Sequence, residues 1–389
     1  MKTNNLALAA LAIGGLCIGT TEFATMGLLP FIASGLGISV PRAGYVVSAY
    51  AFGVVVGAPL LTIIAAKWDR KKLLLFLMLF YSLSNALSAF APSLGVLVFC
   101  RFLSGLPHGA FFGVGAVMGV HAAGQENRGR AVAIMMIGLT VANIFGVPLV
   151  TLAGRLLGWR LSYVGMSALG FITLGCLALW LPKLPVDAQS SVVREIAALR
   201  NVPLWIVFVS GAVGFGGMFA VYSFVSPLMT ETAGLAIEKV PLILSLFGIG
   251  MTVGAFFGGR FSDRSIISSI VFGFAVTSFV LVALGLFSHY LPVAVAGIFA
   301  LGVFSQFINI PLQAMLMDLS PSAPSLGAAL CHSALNVANA LGALFASMAL
   351  SAGLGNHAPS WVGLAMTLAG GAIFLFGVRS AQKANFMIS

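Results

Sequence analysis

Among the nine acidic residues, only Glu22 stands deep inside a long apolar run, in Thr20-Thr21-Glu22-Phe23. An ionisable side chain in hydrocarbon costs several kcal/mol, so such a group is a functional candidate by default. Burial raises a carboxyl pKa and a nearby cation lowers it. A carboxyl exposed in turn to each side of a membrane, with its proton affinity moved by a ligand, carries one proton per cycle. Glu22 is therefore the candidate proton site. The competing readings are a structural carboxyl held by Thr20, Thr21 or backbone, and a direct contact for a cationic ligand. Arg101 is the only deep base other than histidine, about two turns into its own run. It would tune Glu22 if the two came close; the alternative is snorkelling to the outer interface. His108, near the middle of the same run, and His332 suit a proton relay because imidazole titrates near neutral pH. A neutral packing histidine is the alternative for each.

Uncharged polar groups form a second set. Asn143 is matched by Asn339 at an offset of 196. Asn336 lies one turn before Asn339, and His332 one turn before that, on one side of a helix. Gln306, Asn309 and Gln313 form a similar track. Such amides could hold the hydroxyls of a sugar or nucleoside, or serve as interhelical glue. Tyr222 is the repeat partner of Thr25. Both, with the apolar side chains of Met26, Phe23, Phe219 and Phe224, are candidates to line a cavity. Cys17, Cys100, Cys176 and Cys331 each fall in an apolar run without CxxC or His spacing, which argues against disulfides and metal. No GxxxxGK[ST], HExxH or GxSxG occurs, so ATP-driven work and intramembrane hydrolysis have no motif.

The elements that position these residues follow from composition. Of 389 residues, 60% are hydrophobic and 7% charged. Soluble proteins carry about 25% charged residues. A soluble enzyme and a disordered chain are both excluded. Mean hydropathy is +1.09. A membrane-crossing helix needs about 20 apolar residues. Twelve such runs lie near 6–33, 43–66, 73–90, 94–119, 131–153, 160–181, 203–228, 241–260, 266–287, 292–315, 326–350 and 361–378. They are continuous rather than alternating, which disfavours a barrel. The longest polar stretch, 182–202, reads as a linker with a short surface helix near 190–200. The net charge of +10 sits in short loops and carries no nucleic-acid stripe. With the N-terminus inside, fourteen Lys and Arg fall on inner segments and four on outer ones. Both termini are therefore expected in the cytoplasm. An offset of 197 superposes Gly19 on Gly216, Pro30 on Pro227, Gly53 on Gly250, Val56-Gly57-Ala58 on Val253-Gly254-Ala255, and Gly105 on Gly302. Two halves of six spans each, running in the same direction, are related by an axis along the membrane normal.

Four local patterns carry a family resemblance. Gly259-Arg260-Phe261-Ser262-Asp263-Arg264 resembles the G-x-x-x-D-R loop of the major facilitator superfamily. Its first-half counterpart has Thr62 for the glycine and Ala66 for the aspartate but keeps Lys67, Arg70 and Lys71. Arg101-Phe102-Leu103-Ser104-Gly105 resembles the R-x-x-x-G signature. Gly138 to Gly146-Val147-Pro148 resembles the antiporter signature, with its Gly-Pro pair split by Val147. Gly158-Trp159-Arg160 resembles the opening of the family's sixth span. The whole chain is most similar to the bacterial twelve-span drug:proton antiporter branch, near arabinose efflux permease and sugar efflux transporters.

The resemblance implies an all-α fold of two six-helix bundles, 1–181 and 203–389, joined by 182–202. It implies a cavity lined by spans 1, 4, 7 and 10, and links Arg101 to proton coupling. The loop residues Lys67, Arg70, Lys71, Gly259, Asp263 and Arg264 would gate, with Asp263 latching near Arg128 to Arg130. The expected activity is proton-coupled export of a drug, sugar or nucleoside by alternating access. A symporter or uniporter on the same fold is the alternative, and a non-transporting receptor a third reading. A monomer in lipid of the bacterial inner membrane suffices, with small molecule and proton as partners and no cofactor.

Overall fold

The computed structural model describes residues 5–65, 67–124, 128–183 and 192–383. Among them no strand occurs. Twelve helices are long and apolar enough to cross a membrane. In chain order these are α1 Asn5–Leu36, α2 Tyr45–Ile64, α3 Arg70–Ala89, α4 Leu94–Ala123, α5 Ile134–Leu157 and α6 Trp159–Trp180. The second six are α7 Val202–Ser223, α8 Ile237–Ser262, α9 Ile266–Phe287, α10 Leu291–Asp318, α11 Leu326–Ser351 and α12 Ala358–Val378. Each matches one apolar run of the sequence. A short helix, Val192–Ala198, stands in the polar stretch before α7.

Two elements depart from an unbroken helix, and each carries a proline at one of its breaks. Within α5, residues Ala142–Gly146 form a π turn closed by Val147 N–H donating to the Ala142 carbonyl. Pro148 has no N–H for the Ile144 carbonyl, and its ring crowds that oxygen, so the local ladder widens. The run that begins α7 does not continue smoothly to 228. It is interrupted for one residue at Phe215, breaks again at Phe224 and resumes as Val225–Pro227 followed by a π turn, Leu228–Thr232. Pro227 removes the donor there.

The chain divides into two compact units, Met1–Glu195 and Ile196–Ser389. In the first, α1 packs on α5 and α6, α2 on α4, and α3 on α4 and α6. In the second, α7 packs on α11 and α12, α8 on α10, and α9 on α10 and α12. The pairing is the same with six added to each helix number. The repeat extends to single atoms. A Cβ on Gly57 would strike the Leu106 backbone, and one on Gly254 the Val303 backbone. Gly105 and Gly302 press in the same way on the carbonyls of Tyr50 and Phe247. Only glycine lets these backbones approach so closely. The outward faces carry exposed apolar side chains such as Phe52, Leu179, Phe279 and Phe376. That suits hydrocarbon as the solvent.

Candidate functional site

On α4, Arg101, Ser104 and His108 recur at helical spacing and share one face. Arg101 is fully buried. Its guanidinium donates to Asn85 Oδ1 at 3.2 Å, Ser104 Oγ at 3.1 Å and the Thr21 carbonyl at 3.3 Å. It also lies over the rings of Tyr50 and Tyr163, 4.4 and 5.4 Å from their centroids. A desolvated cation is thus held by neutral acceptors and by two aromatic faces. It does not snorkel. Its bond to the Thr21 carbonyl places it one residue from Glu22 along α1.

Glu22 is 7% exposed, and the ionisable group set beside it is His108. The separation of His108 Nε2 from Glu22 Oε2 is 4.0 Å. The other ring nitrogen, Nδ1, hydrogen-bonds the Tyr50 hydroxyl at 2.9 Å. His108 also packs on Phe112, with ring centroids 5.3 Å apart. A chain of three titratable groups therefore runs from α2 through α4 to α1. Neighbouring polar groups stiffen its frame. Thr21 Oγ1 pairs with the Tyr81 hydroxyl, and Tyr81 donates to the Cys17 carbonyl at 2.9 Å. Asn85 donates to the Tyr81 carbonyl at 3.0 Å, which turns its oxygen toward Arg101. Thr25 donates to the Thr21 carbonyl at 3.2 Å and lies 3.5 Å from the Tyr163 hydroxyl.

The sequence reading singled out Glu22, Arg101 and His108 but not Tyr50, Tyr81, Asn85, Ser104 or Tyr163. The available signal was periodicity: Arg101-Ser104-His108 on α4 and Tyr81-Asn85 on α3 are polar tracks at helical spacing. Tyr50 had no such signal, because it is an isolated polar tip in an apolar run.

The second unit lacks this chain. At the offset of 197, Glu22, Tyr50, Arg101 and His108 become Phe219, Phe247, Ile298 and Ser305. Its buried polar groups include five amides, Gln306, Asn309, Gln313, Asn336 and Asn339. Asn309 donates to Gln306 Oε1 at 3.2 Å, and the Cys331 thiol lies 3.4 Å from Asn309 Oδ1. Asn336 donates to the His332 carbonyl at 3.0 Å, so these two share one face of α11. Among the described residues, neither end of the fully buried Asn339 amide has a hydrogen-bond partner. Asn143, its counterpart in the π turn of α5, donates to the Leu139 carbonyl at 3.0 Å. The Tyr222 and Phe247 rings meet at a tilt of 35° with centroids 4.2 Å apart. Met26 is buried in α1.

The loop residues fall into two groups. Lys71 donates to the carbonyls of Ala178 and Leu181, at 2.7 and 2.6 Å, at the C-terminal end of α6. A cation there is favoured by the helix dipole. Asp69 caps α3, accepting from Lys72 N–H at 2.9 Å. At the C-terminal end of α8, Arg260 lies over Phe256 and Arg264 over Phe261, while Asp263 and Gly259 lie on the same turn. Lys67 and Asp263 are exposed, and Arg70 is half-buried. Ala66 and the side chains of Arg128 and Arg130, to which the latch expectation pointed, lie outside the described residues.

Comparison with known proteins settles the family. The profile described as Major Facilitator Superfamily matches residues 11–267 and 212–386. The chain belongs to the Major Facilitator Superfamily. It is 37% identical over 379 residues to the inner membrane transport protein YdhP of Escherichia coli K12, covering 97% of both chains. It is 31% identical over 360 residues to a chloramphenicol resistance protein of Streptomyces lividans, covering 92% of both. The crystal structure of the human organic anion transporter MFSD10 shares the fold, with a TM-score of 0.73 at 14% identity over 96% of this chain and 100% of that one. This member of the superfamily is a membrane transporter of small molecules and not an enzyme.

Proposed function

We propose that the protein is a proton-driven exporter of small uncharged or drug-like molecules, working by alternating access. The observation that carries this reading is the Tyr50–His108–Glu22 chain beside the buried Arg101, present in one half and replaced by apolar or hydroxyl side chains in the other. A buried carboxyl and imidazole this close titrate as a coupled pair, whose protonation steps belong to the pair rather than to either residue. The fixed charge of Arg101 favours the unprotonated carboxyl when the two approach. Proton uptake from the outer side and release to the inner side would then drive substrate outward.

The amides of Asn143, Gln306, Asn309, Asn336 and Asn339, with Thr25, Met26 and Tyr222, are proposed to hold substrate; His332 stays a second proton candidate. The relative named for chloramphenicol resistance supports export over uptake. We take the halves as 1–181 and 203–389 joined by 182–202, both termini as cytoplasmic, the membrane as the bacterial inner one, and the working unit as a monomer in lipid. Lys67, Arg70, Lys71, Gly259, Asp263 and Arg264 are proposed to gate.

The test uses proteoliposomes holding a pH dye, an imposed proton gradient and four probes: arabinose, inosine, chloramphenicol and ethidium. Proton movement opposite to probe flux, lost in Glu22→Gln, is the expected result. Probe flux without proton movement would replace this reading with uniport.

A further inference from the structure

We infer that Tyr50 is the positioning residue of the proton site: its hydroxyl selects the tautomer of His108 that turns an Nε2–H toward Glu22, and it keeps that orientation when the ring is charged. The inference rests on the proton-coupled reading above and adds a residue to it.

A neutral imidazole has one N–H donor and one acceptor nitrogen, and the partner of one nitrogen decides which is which. Here Nδ1 faces a hydroxyl at 2.9 Å, while Nε2 faces a carboxylate at 4.0 Å. A carboxylate only accepts; a hydroxyl does either. Of the two neutral tautomers, the one with Tyr50 O–H donating to Nδ1 places the Nε2–H on the side of the carboxylate, where 4.0 Å makes the attraction electrostatic rather than a hydrogen bond. When one proton enters from solvent, the net charge of the Glu22–His108 pair rises by one. If the proton resides on the ring, Nδ1–H donates to Tyr50 O, whose own hydrogen rotates away. If it resides on Glu22, the first arrangement persists. In both states the same two atoms face each other, so the ring need not turn for the proton to be taken up or released.

The groups around the pair are consistent with this role. Cys17 and Glu22 come from α1, Tyr50 from α2, Tyr81 from α3, Arg101 from α4 and Tyr163 from α6; α5 contributes only Arg155, near its exposed end. Arg101 lies over the Tyr50 ring. The edge contact between the Tyr50 and His108 rings, 5.9 Å between centroids, limits rotation of both.

The molecule also holds its own control. The position equivalent to Tyr50 is Phe247, at the matching crossing of α8 and α10, where Gly302 presses on its carbonyl as Gly105 presses on that of Tyr50. A phenyl ring therefore fits this crossing, and the Tyr50 hydroxyl is not needed to build it. Its partner position also changes, from His108 to Ser305, so the hydroxyl and the imidazole occur together and are absent together.

The test is nitrogen-15 NMR of histidine-labelled full-length protein in lipid bilayers, with the His108 signals assigned by their loss in His108→Gln. Wild type is expected to show one neutral tautomer, protonated at Nε2. Tyr50→Phe is expected to show a mixture or the inverted tautomer while still folding, as Phe247 does at the equivalent crossing. An unchanged tautomer in Tyr50→Phe would overturn the inference and leave the transport reading intact. A second measurement needs no variant of Tyr50. Dipolar recoupling between histidine nitrogen and tyrosine Cζ in wild type is expected to give a contact that His108→Gln removes, distinct from that of the sequence-adjacent His289–Tyr290 pair. Absence of that contact also overturns it. Uniport in the proteoliposome assay, with a tautomer that does follow Tyr50, would instead sink the proton-coupled reading.

Discussion

His108 Nε2 lies 4.0 Å from Glu22 Oε2 across the packing of α4 on α1, and its other nitrogen is already held by Tyr50. On the proposed proton-coupled reading, the carboxyl and the imidazole form one coupled unit. Transport by Glu22→Gln, His108→Gln and the double variant should be non-additive. A coupling of about 0.5–3 kcal/mol is expected for neighbouring residues. The rate of probe-driven proton movement in proteoliposomes supplies the cycle. Additive logarithms would separate the two residues into independent sites.

Arg101 depends on geometry as much as on charge. Its planar fork reaches Asn85, Ser104 and the Thr21 carbonyl at once while stacking between Tyr50 and Tyr163. Lysine keeps the charge and loses the fork and the stacking. Arg101→Lys should lower stability by about 1.5–3 kcal/mol, the range for hydrogen bonds to a charged group. It should also slow transport. A melting curve in detergent that overlays wild type would contradict the packing described here.

The two tight crossings make a symmetric prediction. Gly57→Val and Gly254→Val each drive a side chain into backbone, of Leu106 and Val303 respectively. Each should cost about 1–3 kcal/mol or more, since backbone cannot move aside as a side chain can. Gly165 and Gly175 have no atom within 4 Å of an added Cβ. Alanine there should be neutral or stabilise by up to about 1 kcal/mol through helix propensity. Fluorescence-detected size-exclusion yields after heating distinguish the sets, and equal loss in all four would refute the glycine argument.

Asn339 offers a stability–activity contrast. Its buried amide has no hydrogen-bond partner among the described residues. Asn339→Leu removes a desolvated polar group, and should leave stability unchanged or raise it by about 1 kcal/mol. If the amide holds substrate, the same change should abolish flux of hydroxylated probes. Unaltered flux with raised stability would assign Asn339 to packing alone.

Much of the fold was legible in the residues. Twelve apolar runs of crossing length, the nearly constant repeat offset and the sparse charges dictate twelve helices, because hydrocarbon leaves a chain no other way to satisfy its backbone. Glu22, Arg101 and His108 stood out for the same reason, since a deep ionisable group is costly. The breaks at Ala142–Gly146 and after Ser223 were not foreseen. Prolines marked both places, but whether a proline kinks, widens or ends a helix depends on what packs beside it. Lys71 reads in sequence as part of a gating loop, and its partners at the end of α6, more than a hundred residues away, were not legible there.

What the sequence by itself determined was which groups are expensive to bury and how many helices bury them. Only the tertiary structure decided who meets whom. Glu22 and His108 are 86 positions apart, and Tyr50 and His108 are 58 apart. Periodicity reports a face of one helix and carries no information on the rotation of the next. The close glycine crossing of α2 on α4 sets that rotation, and with it brings a lone tyrosine hydroxyl to the ring nitrogen that Glu22 does not face.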